Sequence, residues 1–254
     1  MIAWEDLTLF LYIAARMSGF VLFNPIFGRR SIPGMFRSGF ILVLSIFVYD
    51  ITRQDTAVPS GITELSVRII LELALGFTLG LIVSFFLYIP QLAGHVVDTQ
   101  MGMTMNQIYD AGAQANLSVT GGLLNVLMLL LFFAGNGHHT LLRIIAASGE
   151  IVSYGAVSLG SALADAMLAL FVECTVLAVK LCMPILAAEL LGQLGMGILM
   201  KAIPQINVFS INIELKVIIG LVLLLLLIAP FSEFLLQTEM NMLNSIQSMI
   251  ALAG

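Results

Sequence analysis

At 254 residues the chain is about 1.7 times the ~150 residues of a typical domain, so length alone admits one unit or two. Apolar residues make up 60% of it, charged residues only 10%, and the mean hydropathy is +1.07, whereas ordinary soluble domains hold roughly 45–50% apolar and 25% charged residues. Ten basic and fifteen acidic side chains, for a net charge of −5, cannot clothe a soluble particle of 27.4 kDa. That excludes a disordered chain, a nucleic-acid binder with a basic footprint, and an ordinary cytosolic domain. Much of the chain must be solvated by lipid or by other apolar protein.

The first apolar run, Leu7–Phe27, is interrupted by Arg16. The segment before it is acidic and lacks the positive charge of a cleavable secretory signal, so the run is expected to stay in the mature protein. Phe40–Tyr49 follows, too short to span a bilayer alone. Leu73–Val97 holds no charged residue, and as a helix it would reach about 37 Å, beyond a ~30 Å hydrocarbon core. Ala111–Leu142 is also free of formal charge, centred on Leu123–Ala134; Leu163–Leu194 is apolar but carries Asp165, Glu173, Lys180 and Glu189. Val217–Phe231 is the most apolar stretch, and an amphipathic helix over about 232–252 ends the chain, with Glu239 intruding on its apolar side.

This pattern predicts an all-α membrane-associated protein of about six helical segments in a single domain spanning 1–254. Pro90, Pro184 and Pro230 should each kink or end a helix, since each removes one backbone donor. The tail helix has no basic residues on its polar face, which favours docking onto a partner over lying at a membrane interface. Cys174 and Cys182 would sit roughly 12 Å apart on one helix, too far for a disulfide, and read as buried inert thiols. Arginines flank the second run on both sides (Arg29, Arg30 and Arg37 before it, Arg53 and Arg68 after), so the positive-inside rule fixes no orientation.

Catalytic signatures fail one by one: no phosphate-cradling G-x-x-x-x-G-K-[ST], no G-x-S-x-G, no H-E-x-x-H and no C-x-x-C. Adjacent His138 and His139 would point about 100° apart on a helix, unlike a chelating pair. No cofactor and no metal is expected. Gly76 and Gly80 form a small-xxx-small pair, but a chain this rich in glycine should hold about two by chance, so alone it carries nothing.

Charges inside apolar helices say more, because each costs at least ~2.5–3.5 kcal/mol at a helix centre in lipid. Asp165, Glu173 and Lys180 fall within about 80° on the helical wheel. They fit polar contacts to neighbouring helices or subunits, or else an ion relay. Asp98–Asn116 is the other irregularity, a polar segment between two apolar helices that holds Met101, Met103 and Met105. Such a loop is tolerated at membrane depth only inside protein or beside water. Methionine moulds to changing surfaces, so the loop reads either as a surface connector or as a constriction in a conduit.

Four blocks stand out in order: Asn24–Pro33 with Arg37-Ser38-Gly39; Gln100-Met101-Gly102 with Asp110; Asn136-Gly137-His138-His139; and, most specifically, Ala202–Phe209, with its Pro204-Gln205-Ile206-Asn207-Val208-Phe209, after Leu190-Leu191-Gly192. In these blocks and their order the sequence resembles the FliR family of flagellar export-gate proteins. It departs from the family's pattern at Ile211–Glu214, where a Gly-Phe-Pro-like stretch is usual, and at Lys201, where the basic residue is often Arg. The resemblance implies a non-enzymatic subunit of a type III secretion apparatus in the cytoplasmic membrane, at the flagellar basal body. It implies assembly with FliP-like and FliQ-like subunits into a helical cone joined by an FlhB-like subunit, carrying unfolded substrates. It further implies bent helical hairpins, many packed above the bilayer plane. A core loop over about 98–116 would plug the pore through Met101, Met103, Met105, Ile108 and Tyr109. Asp165, Glu173, Lys180, Pro204, Gln205, Asn207 and Phe209 would pack against other subunits. The alternative is a multi-pass transporter of ions or small molecules, which would bind its cargo near Asp165–Lys180.

Overall fold

A computed structural model describes residues 4–29, 31–52, 59, 61–103, 107–110, 115–202 and 208–254; the side chains of 107–110, 115–117 and 208–213 lie outside the described set. Among the described residues the chain is helical apart from one two-stranded hairpin, as the apolar periodicity requires. By contact it divides into two compact units, one built from Met1–Phe86, Asn136–Phe171 and Glu239–Gly254, the other from Leu87–Gly135 and Val172–Thr238.

In the first unit α1 (Trp4–Phe23) and α2 (Gly34–Ile51) form an antiparallel pair, with Phe10 meeting Tyr49 edge-on at 6.0 Å and Phe27 stacked on Phe40 at 5.5 Å. The second apolar run is short, yet its helix reaches 18 residues because Met35–Arg37 continue the turn beyond the apolar core. The first half of α3 (Ile62–Met101) runs parallel to α1 in backbone contact. A Cβ on Gly76 would lie 2.1 Å from the Arg16 carbonyl oxygen, and one on Gly80 would lie 3.0 Å from the Phe23 carbonyl carbon. The small-residue pair that spacing alone could not distinguish from chance is therefore the crossing point of α1 and α3.

Arg16, which interrupts the first apolar run, is fully buried beside that crossing. Its Nε donates to Glu72 Oε2 at 2.6 Å, Nη2 to Glu72 Oε1 at 3.1 Å and to the Val152 carbonyl at 3.1 Å, and Nη1 to Ser148 Oγ at 3.0 Å. The Gly155 N–H donates to Glu72 Oε1 at 2.7 Å, and the guanidinium lies 4.2 Å from the centre of the Tyr154 ring. A buried charge survives only when paired and hydrogen-bonded; here the pair ties α1, α3 and the segment Ser148–Gly155 together. Burial pushes the Tyr154 phenol above its ordinary value of 10.0, with Arg16 pulling the other way, so the ring stays neutral over the cation.

The run Ala111–Leu142 is not one helix. It resolves into a strand, α4 (Val119–Ala134) and the start of α5 (Gly137–Ala146), separated at Asn136, whose φ of 57° no helix continues. A single turn, α6 (Ser148–Ile151), precedes α7 (Ser161–Ala202). Pro90 and Pro184 lie inside α3 and α7, which continue through them. At Pro230 the expected break does occur: α8 (Val208–Leu226) and α9 (Ile228–Ala251) meet at Leu227, and Glu214–Leu226 is bent 62° from Ile228–Ala251. Pro230 then sits in the first turn of α9, where its missing N–H costs nothing. Among the described residues four helices are long and apolar enough to cross a membrane, or up to six spans if each bent pair counts as one. Most of the apolar face of α9 is covered by the chain itself, since Leu235, Met242, Leu243, Ile246, Met249 and Ile250 are buried, while Leu236 and Met240 stay exposed. Docking onto a partner is expected of the tail; its buried residues pack instead within the chain, where Ala253 accepts from the Ser158 N–H at 3.0 Å.

Candidate functional site

The second unit places the methionine-bearing loop. Here α3 and α4 run antiparallel: Gln91 Nε2 donates to Asn125 Oδ1 at 3.4 Å, and a Cβ on Gly94 would sit 2.1 Å from the Gly121 nitrogen. The helix α3 ends in a Schellman motif. Gly102 adopts a φ of 79°, its N–H donates to the Thr99 carbonyl at 3.2 Å, and the Met103 N–H donates to the Asp98 carbonyl at 2.8 Å. Only glycine adopts that left-handed turn without strain. On the return side Ser118 caps α4, its Oγ accepting from the Gly121 N–H at 3.1 Å.

Asp98 joins the two ends. It is buried, its Oδ2 accepts from the Thr120 N–H at 3.0 Å, and its Oδ1 accepts from the Thr120 hydroxyl. An acidic group at the first turn of α4 also meets the positive end of the helix dipole. Between these anchors the chain folds back as β1 (Gln107–Asp110) against β2 (Ala115–Ser118), with Ile108 opposite Leu117 and Tyr109 opposite Asn116. Within the segment read as a polar loop, the described residues thus include a two-stranded hairpin held at its root.

Met101, the last residue of α3, is fully buried in a notch left by Gly220 of α8, where a Cβ would lie 1.9 Å from the Met101 Sδ and 3.4 Å from Glu189 Oε1. Glu189 is itself fully buried, and among the described residues neither carboxylate oxygen has a hydrogen-bond partner. Met103 is half-buried just past the turn; Met105 lies outside the described residues, as do the side chains of Ile108 and Tyr109. Four of the five proposed plug residues are thus placed, Met101 and Met103 at the root and Ile108 and Tyr109, by their backbone, on the first strand of one hairpin.

The proposed packing residues divide in the same way. Asp165, Glu173 and Lys180 are exposed on α7, among exposed Leu168, Phe171, Val172, Val176, Val179 and Met183. Pro204, Gln205 and Asn207 lie outside the described residues, and Phe209 is placed in α8 by its backbone. Cys174 and Cys182 are free and buried. His138 and His139 occupy the first turn of α5 with ring centres 4.1 Å apart, and among the described residues no cluster of three or more His, Cys, Asp or Glu suits a metal. Asp98, Glu189 and Gly220 were not singled out by motif. Asp98 alone left a sequence signal, an acid at the edge of a charge-free run with a Ser-x-Thr helix start downstream.

A family model described as "Bacterial export proteins, family 1" matches residues 7–242. The chain is 26% identical over 253 residues to the flagellar biosynthetic protein FliR of Bacillus subtilis, covering 96% of this chain and 95% of that protein. It is 28% identical over 255 residues to the protein of the same name from Escherichia coli, with 97% and 95% covered. With the Yop proteins translocation protein T of Yersinia pestis it shares 25% identity over 225 residues, with 87% and 85% covered.

Proposed function

Because the chain belongs to the family of bacterial export proteins matched by FliR, we propose that it is a structural, pore-forming subunit of the flagellar type III protein export gate. Membership makes it a non-enzymatic, multi-pass component of the flagellar and type III export machinery in the cytoplasmic membrane. In the proposed role it assembles with FliP-like and FliQ-like subunits and an FlhB-like subunit, and the complex passes unfolded flagellar substrates.

The exposed face of α7 carries this reading. Lipid would charge Asp165, Glu173 and Lys180 about 2.5–3.5 kcal/mol each, and water would leave the large apolar side chains around them unburied. A sister subunit answers both demands, covering the apolar residues and supplying counter-charges. The helices α3 and α7, at 40 and 42 residues, extend about 60 Å, twice a hydrocarbon core, so parts of them need protein for surroundings. Pro204, Gln205, Asn207 and Phe209 are assigned to subunit packing as well, on their match to the family's sequence pattern. Met101, Met103, Met105, Ile108 and Tyr109 supply the plug of the closed pore, on a hairpin whose root Asp98 fixes.

Charge reversal tests this. With the FliP-like and FliQ-like subunits co-expressed, Glu173→Lys and Lys180→Glu should each lower recovery of the hetero-oligomer at least tenfold while the variant chain still inserts. Unchanged recovery with both variants would remove α7 from the interface.

A further inference from the structure

We infer, on the reading of the β1–β2 hairpin as the plug, that the notch between α7 and α8 is a metastable latch on its root: Met101 closes the notch, and Glu189, left without a polar partner while Met101 is seated, is hydrated when Met101 leaves. Met101, Glu189 and Gly220 all lie in the second unit. A glycine inside a helix weakens that helix, and at Gly220 the missing side chain is what admits Met101. A Cβ there would meet the methionine Sδ at 1.9 Å and its Cγ at 2.6 Å. The same Cβ would lie 3.4 Å from Glu189 Oε1, so thioether and carboxyl flank one space. Both side chains are fully buried.

Asp98 and Met101 both hold the end of α3, and they differ in kind. Asp98 is satisfied on both oxygens by Thr120 of α4, so that contact leaves no polar demand unmet. Glu189 has no hydrogen-bond partner on either oxygen among the described residues. Nor does it form an ion pair there with Lys216, half-buried one turn before Gly220 on α8, although that charge acts on it. Burying a carboxyl without a partner is costly whether it is ionised or neutral. Packing of the Met101 side chain therefore holds the seated state against a polar group that favours release. Methionine has three rotatable side-chain bonds, so Met101 can leave the notch while Asp98 keeps its place. Water then reaches Glu189, and Lys216, four residues from Gly220 on the same face of α8, stands ready as its counter-charge.

Hydrogen peroxide oxidises a methionine sulfur to the sulfoxide only where it reaches that sulfur, so the oxidation rate of Met101 reads how often the notch is open. Peptide mass spectrometry of the full-length chain, with the subunits that co-purify, follows it relative to Met128, which is buried on α4 in the same unit. Glu189→Leu, which fills the space without a polar group, should slow Met101 oxidation about tenfold. Gly220→Ala should quicken it about tenfold by crowding Met101 out of its seat. A Glu189 that merely packs would give the opposite sign, since replacing it would loosen the site. Oxidation unchanged or faster in Glu189→Leu, or unchanged or slower in Gly220→Ala, would overturn the latch. Ion leak through the same complex separates the latch from the plug: leak that follows Met101 oxidation supports both, and oxidation that shifts as expected while leak stays fixed keeps the latch but removes the hairpin from the seal.

Discussion

Arg16 is the residue on which the first unit turns. The sequence marks it only as a charge inside an apolar run; its partners Glu72, Ser148 and Val152 lie 56 or more positions away, and no local pattern could join them. Removing one member of a buried pair strands the other, so Arg16→Ala should destabilise the chain by about 3–5 kcal/mol. Replacing both, as Arg16→Met with Glu72→Met, should recover most of that loss, because apolar groups of similar volume leave no uncompensated charge. Unfolding in detergent followed by intrinsic fluorescence separates the two. Equal losses in the single and double variants would mean that packing, rather than the charge pair, dominates here. Gly76 teaches a related lesson, for its spacing to Gly80 was visible but the helix it faces was not.

Elements were more legible than their joints. Long apolar runs located the helices α1, α3, α7 and α8 because burial and helical periodicity act over many residues at once. The break at Pro230 was legible for a local reason, the lost donor, whereas α3 and α7 run on through their prolines under tertiary packing that a local rule omits. The loop was found but its order was not: the turn at Gly102, the caps at Ser118 and Thr120 and the pairing of β1 with β2 depend on contacts across the helical hairpin. Asp98→Ala should therefore cost about 1–2 kcal/mol by uncapping α4, and should loosen the hairpin at its root. Measured as ion leak through the assembled complex, Met101→Ala combined with Met103→Ala and Met105→Ala should raise conductance, and Asp98→Ala should do so less. Unchanged tightness in the triple variant would remove the methionines from the seal.

The whole molecule exposes more apolar surface than a monomer in water tolerates, and places charges where a monomer in lipid would not. Both are explained if the helices complete their burial against sister chains around a conduit, and deletion of the gene should then abolish flagellar assembly and motility. Composition announced the need for apolar surroundings at once. Which part is lipid and which is protein became arguable only when α7 showed Glu173 and Lys180 beside Val172, Val176 and Val179 on an open face. The most direct measurement is the native mass of the full-length chain purified gently from its own membrane. The account predicts a hetero-oligomer containing the FliP-like and FliQ-like subunits; a stable, monodisperse monomer in detergent would contradict it.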